Sequence, residues 1–207
     1  MARDTDAKCR RCRREGVKLF LKGERCYSPK CPIERRGAVP PGEHGSRGRR
    51  RVSEYGQQLR EKQKAKRLYG VLERQFRRYF EKAAKNPQAT GEVLLQLLES
   101  RLDNLVFRLG LTPSRSVARQ LVSHRHVYVN DKRVNIASFQ VKPGDTVRLG
   151  EKAMKTPAVE KNWVDRTKNL PQWLQRRGPI GKMIRLPERK EVESGIDDKL
   201  IVEYYSR

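Results

Sequence analysis

Residues 99–130 read ESRLDNLVFRLGLTPSRSVARQLVSHRHVYVN. Leu94, Leu98, Leu102, Leu105 and Leu109 recur at helical spacing on one face, and Gly110 supplies a C-terminal stop. Pro113 and Ser114 then open a shorter helix in which Val117, Ala118, Leu121 and Val122 point inward. That leaves Arg115, Arg119 and Arg125 for an outer face. At Val127 the pattern turns to strand alternation: Val127 and Val129 alternate, Asn130-Asp131 turns the chain, and Val134 returns. A second strand pair, Phe139–Val141 with Val147–Leu149, is expected around Lys142-Pro143-Gly144-Asp145, whose Pro and Gly suit the central positions of a type II turn. Helices leading into a small antiparallel sheet make a compact α+β unit near residues 99–150.

Upstream of this unit the chain reads as helical. Ser53 is a plausible cap for a mostly charged helix running to Tyr69, with Gly70 just past its end. Leu72, Phe76, Tyr79, Phe80 and Ala83 form the apolar stripe of a second helix, ended by Asn86-Pro87. Downstream, Trp163 and Trp173 are large apolar groups expected to pack between domains. Asp197 to Tyr205 carries both 2-residue and helical spacing.

The chain has 48 Lys and Arg against 24 Asp and Glu, a formal charge of +24. Two thirds of that excess lies before residue 91. Self-repulsion on this scale opposes compaction unless polyanions surround the protein, and a phosphate backbone removes it by releasing counterions. Arg rather than Lys dominates the N-terminal quarter, and its planar fork of donors suits phosphates and base edges. No apolar run approaches the length that spans a bilayer. Met1-Ala2-Arg3-Asp4 leads into no hydrophobic signal segment, so neither a membrane protein nor a secreted one is expected.

Cys9, Cys12, Cys26 and Cys31 follow the pattern C-x2-C-x13-C-x4-C. Two close pairs separated by such a loop are what four thiolates around one tetrahedral metal require. Zinc is the first expectation and an iron–sulfur cluster the second, while two disulfides would need an oxidising compartment. A four-thiolate zinc has no open coordination position, so its role would be structural. It would fix an Arg-rich segment with few large apolar residues. The following Val39–Arg51 stretch, with its prolines, glycines and arginines, reads as an extended basic linker.

Ser100-Arg101-Leu102-Asp103-Asn104, Ser114-Arg115, Ala118-Arg119-Gln120-Leu121-Val122 and Val127-Tyr128-Val129-Asn130 resemble the S-four RNA-binding module. Cys9–Gly16, Lys22–Cys26, Pro40–Gly45, Leu59–Lys64 and the terminal Val202–Arg207 resemble the S-four family of bacterial small-subunit (30S) ribosomal proteins, in its zinc-binding four-cysteine variety. The likeness runs along nearly the whole chain and is weakest over 151–185. It implies a zinc-binding extension and start of the basic linker over 1–45, and a helical domain one over 46–98 to which 186–207 returns. Domain two is then inserted at 99–185 and contains the module at 99–163. It implies a terminal helix, and Cys9, Cys12, Cys26 and Cys31 as ligands of one structural Zn2+.

The function implied is that of a primary rRNA binder, cytoplasmic and in the ribosome, that nucleates assembly of the small-subunit body and contributes to translational accuracy. Implied partners are small-subunit rRNA, ribosomal protein S-five and mRNA at the channel through which it enters, with no membrane and no small-molecule substrate. The expected RNA-facing residues are Arg10, Arg11, Arg13, Arg14, Arg35, Arg36, His44, Arg47, Arg49, Arg50, Arg51, Arg60, Lys62, Lys64, Arg67, Arg115, Arg119, Arg125 and Lys132. Two departures stand inside the module, Arg125 and Asp131 where members commonly have glycine. A folded RNA junction is the expected target, since A-form RNA hides its base edges and is read by shape and exposed loops.

Two rival classes fit less well. A zinc-containing nucleic-acid-binding regulator of the DNA-binding kind would need a recognition helix between the cysteine pairs. An RNA-modifying enzyme would need a catalytic domain after residue 150, where too few residues remain. No Asp, Cys or His constellation there suggests catalysis, and no enzymatic turnover is expected.

Overall fold

The computed structural model describes residues 4–47, 51–157, 159–160, 170–192 and 195–207. The chain divides into two compact units, Met1–Gly91 with Ser194–Arg207, and Glu92–Glu193. Where the sequence reading set three parts, the four-cysteine segment clusters with the helical unit. The C-terminal return begins at 194 rather than 186.

In the first unit, α1 (Lys8–Glu15) and α2 (Pro32–Arg36) flank a single 3-10 turn at Gly23–Cys26. Then come α3 (Glu54–Leu68) and α4 (Glu73–Ala84). Ser53 caps α3, its Oγ accepting the Gly56 N–H at 3.2 Å. The stripe read on α4 is buried at Phe76, Tyr79 and Ala83. Helix α3 is too charged to bury a face of its own, and the C-terminal helix α9 (Asp198–Tyr205) packs along it. Asp197 caps that helix by accepting the Lys199 N–H at 3.0 Å. The ring of Tyr205 stacks on Phe80 with centroids 4.5 Å apart.

The second unit opens with α5 (Thr90–Glu99), whose first two residues belong to the preceding unit, followed by α6 (Leu102–Arg108) and α7 (Arg115–Ser123). After α7 come β1 (Val127–Val129), β2 (Lys132–Val134) and β3 (Thr146–Leu149). Helix α8 (Glu151–Met154) and the hairpin β4 (Leu174–Arg177) and β5 (Ile180–Met183) complete it. The strands form one antiparallel sheet in the order β2-β1-β3-β5-β4. One face packs Val127, Val129, Val147, Leu149, Leu174 and Met183 against α6 and α7. Gly181 sits on that inner face because an added Cβ would lie 2.4 Å from the Leu109 side chain.

Three expectations are corrected here. The leucine stripe is not one helix: it breaks at Ser100-Arg101, where the Leu102 N–H donates to Phe139 O at 2.9 Å and the Val141 N–H to Ser100 O at 2.9 Å. Residues 139–141 therefore brace that break instead of pairing with Val147–Leu149, and β3 pairs with β1 and β5. The Pro143-Gly144 turn forms all the same, with Gly144 at φ +96° and the Asp145 N–H on Lys142 O at 3.1 Å. Finally, Trp173 does not pack between domains; it is 1% exposed inside the core of the second unit. Trp163 lies outside the described residues.

Candidate nucleic-acid interface

The N-terminal segment carries four cysteines. Cys12, Cys26 and Cys31 are buried, Cys9 is half-buried, and all four are free thiols. Burial pushes the Cys12 thiol up, and the charges of Cys26, Cys9 and Cys31 act in the same direction, against a hydrogen bond from the Leu19 backbone. The Lys22 N–H donates to Cys26 Sγ at 3.4 Å. As placed, no group of three or more His, Cys, Asp or Glu side chains among the described residues forms a ready cage for an ion. The donor chemistry nevertheless suits a soft four-thiolate centre: four reduced cysteines, with backbone N–H groups donating to Cys12 and Cys26.

The nineteen expected RNA-facing residues separate by environment. Arg10, Arg14, Arg35, Arg36, His44, Arg47, Arg51, Arg125 and Lys132 are exposed. Arg49 and Arg50 lie outside the described residues. Arg11 pairs with Asp4 at 2.9 Å and Asp6 at 2.6 Å. Arg13 donates to Val39 O at 2.8 Å and Pro40 O at 3.0 Å, tying α1 to the linker. Arg60 and Arg67 both point to Glu15, whose side chain is 2% exposed. Burial raises the Glu15 carboxyl and lowers Arg67, so each charge there depends on the other. Lys64 pairs with Glu61 at 3.1 Å.

Two of the nineteen are corrected outright. Lys62 is 4% exposed, its Nζ 2.9 Å from Glu73 Oε1 and 4.4 Å from the Tyr204 ring centroid. It is a partner inside the α3–α9 packing, not a phosphate ligand. Burial works against the Glu73 charge, but hydrogen bonds from Lys62, Lys66 and Tyr205 outweigh it and hold its pKa down to about 2. Arg119 is 8% exposed, with Nη1 3.8 Å from Asp103 Oδ2. The helical wheel that put it outside could not see the buried carboxylate it serves.

Arg115 is held by a relay. Arg108 grips the fully buried Glu99 through two hydrogen bonds of 2.9 and 2.7 Å. Asn104 Nδ2 donates to Glu99 Oε2 at 2.6 Å, and Arg115 Nε donates to Asn104 Oδ1 at 2.7 Å. The Arg115 guanidinium also lies 4.6 Å over the Phe107 ring. Arg125 stands at φ +63° and Asn130 and Asp131 at +47° and +62°, the left-handed values of a tight helix exit and a type I′ hairpin. Arg125 and Asp131 thus adopt the backbone that glycine would take.

The outward face of the sheet carries cations that the sequence reading did not name. Arg133 and Arg148 sit on either side of Tyr128 in register. Arg148 is 4.2 Å from the ring centroid, and Arg133 Nη2 donates to the phenolic oxygen at 2.9 Å. Strand alternation was the signal that would have found them.

The helix pair on its antiparallel sheet, in a chain that also carries a basic helical unit, defines an RNA-binding protein of the S4-domain class: the family "S4 domain" matches residues 100–147 and "Ribosomal protein S4/S9 N-terminal domain" matches residues 3–99. The change between the two matches falls at the break between α5 and α6. Small ribosomal subunit protein uS4 of Dictyoglomus turgidum is 57% identical over the full length of both chains. Those of Natranaerobius thermophilus and Pelotomaculum thermopropionicum are 52% and 53% identical, again over both full lengths. The chain belongs to the uS4 family of small ribosomal subunit proteins.

Proposed function

We propose that this chain is a non-catalytic constituent of the small ribosomal subunit that binds its rRNA directly. The observation that carries the reading is how the acidic side chains are used. Glu15, Glu99 and Asp103 are buried against arginines, while Arg10, Arg14, Arg35, Arg36, Arg47, Arg51, Arg125 and Lys132 face solvent. The buried carboxylates are balanced by buried cations, so the +24 excess stays on the surface, which suits a phosphate backbone. Full-length identity above 50% to uS4 proteins supports the extension that it binds early in assembly, influences decoding accuracy, touches ribosomal protein S-five and lies near the path of mRNA. The same reading gives Cys9, Cys12, Cys26 and Cys31 one structural Zn2+, whose chemistry would be to cross-link the N-terminal segment.

Binding of the full chain to a folded small-subunit rRNA junction, measured over a salt series, is expected to weaken linearly on log–log axes and to exceed binding to duplex DNA of equal length. Replacing Arg51 by alanine should lower the slope by roughly one ion. Preference for the DNA would overturn the reading. For the metal, elemental analysis of chain purified under reducing conditions should find one zinc per chain, lost in Cys12→Ser. Iron in its place, or no metal, would reject zinc.

A further inference from the structure

We propose that the outward face of the sheet is a phosphate clamp for the backbone of a base-paired segment of small-subunit rRNA, gripped by Arg133 and Arg148. The inference rests on the rRNA-binding reading and adds a site to it. None of the five strands contains an Asp or Glu, so the cations they carry have no acidic neighbour within the sheet. Strand pairing sets Arg133, Tyr128, Arg148, Ile180 and Arg177 side by side, one from each strand, in a single row. Arginines thus recur on every second strand, about 10 Å apart at the ordinary strand spacing. Arg133, Ile180 and Arg177 are exposed, and so is Lys182 on the same face.

The two arginines nearest the β1–β2 hairpin are fixed in place. Arg148 Cζ lies 4.2 Å from the centroid of the half-buried Tyr128 ring, and Arg148 Nε donates to Asp131 Oδ1 at 3.0 Å. Arg133 Nη2 donates to the Tyr128 phenolic oxygen at 2.9 Å, with its Cζ 5.5 Å from the same centroid. These bonds leave the remaining donors of each fork without a partner among the described residues. Ordering such long side chains in advance lowers the cost of binding. The carboxylate of Asp131, at a position where glycine could hold the turn, is what orients Arg148.

Phosphate is the occupant that fits this chemistry, since a guanidinium fork matches its oxygens with paired N–H donors. Tyr128 is no stacking platform: it is half-buried, with Arg148 against its ring and its hydroxyl engaged. The cluster therefore reads backbone and not an unpaired base. Base-paired RNA hides its base edges and is read through phosphates and 2′-hydroxyls across a wide, shallow minor groove. Ile180 is the one exposed large apolar side chain in the row, too little for the core of a protein interface.

The test uses the full chain and a folded small-subunit rRNA junction. Arg133→Met with Arg148→Met is expected to weaken binding by about tenfold and to lower the salt slope by about two ions. Arg133→Lys with Arg148→Lys keeps both charges, so it should retain the slope and recover part of the affinity. Hydroxyl-radical footprinting should show one paired segment protected by the unaltered chain and by the Lys variant, and open with the Met variant. The proposal is overturned if the Met variant binds as tightly as the unaltered chain, or if affinity falls with the slope unchanged. It is equally overturned if the Lys variant is no better than the Met variant, or if the lost protection lies in an unpaired loop. A Met variant that keeps rRNA binding but fails to enter reconstituted small subunits would make this face a protein contact instead. Failure of the unaltered chain to bind the rRNA would reject the function on which the inference rests.

Discussion

Replacing Arg101 by alanine is expected to destabilise the Glu92–Glu193 unit by about 3–5 kcal/mol, the cost of leaving a buried charge without its partner. Arg101 is fully buried, and its Nε and Nη2 donate to the two oxygens of Asp103 at 3.0 and 2.7 Å. The same carboxylate accepts the Asn104 N–H at 3.0 Å and stands near Arg119. Without the guanidinium, the buried Asp103 carboxylate is left with the more distant Arg119, whose Nη1 is 3.8 Å away. For a unit of about 100 residues, a loss of 3 kcal/mol lowers the melting temperature by more than about 12 °C. Arg101→Lys should recover only part of this, since an ammonium cannot occupy both carboxylate oxygens. Arg101→Met with Asp103→Leu should be less harmful than Arg101→Ala, because it removes both charges and keeps volume. A double variant no more stable than the single one would show that the pair does something other than neutralise itself.

Trp173→Ala is expected to cost about 3–5 kcal/mol in the same unit. The indole is 1% exposed and belongs to the core formed by α6, α7 and the sheet. Its carbonyl accepts the Ile184 N–H at 3.0 Å, so the residue also closes the open end of the β4–β5 hairpin. Removing the ring leaves a cavity beneath two strands that attach to the rest of the sheet through β3 alone. Denaturant unfolding measures the loss. Amide exchange should show β4 and β5 opening before β1–β3. A loss below about 1 kcal/mol would place the indole outside the core.

Both residues show how far charge and pattern reach. Arg101 reads as one more cation in a basic chain, yet it is a core residue, and so are Lys62 and Arg119. Composition assigns charge to the chain but not to a side of the fold. Glu73, which holds Lys62, is brought to it by packing, and so is Asp103 to Arg119. The β4–β5 hairpin escaped notice for a related reason. Leu174-Gln175-Arg176-Arg177 has little of the β-branched and aromatic character that marks strands, and it forms because β5, itself seated on the edge of β3, offers it a partner.

The amino-acid order determined whatever depends on neighbours a few residues apart. Ser53, Ser114 and Asp197 cap helices through their own side chains, Asn130-Asp131 and Pro143-Gly144 turn the chain, and four close-set cysteines collect in one short segment. The tertiary structure alone decided where the leucine stripe breaks, which strands neighbour β3, and which cations stay in water. Hydrogen bonds such as Leu102 N–H to Phe139 O join residues far apart in the chain, and a periodic pattern of side chains carries no record of them.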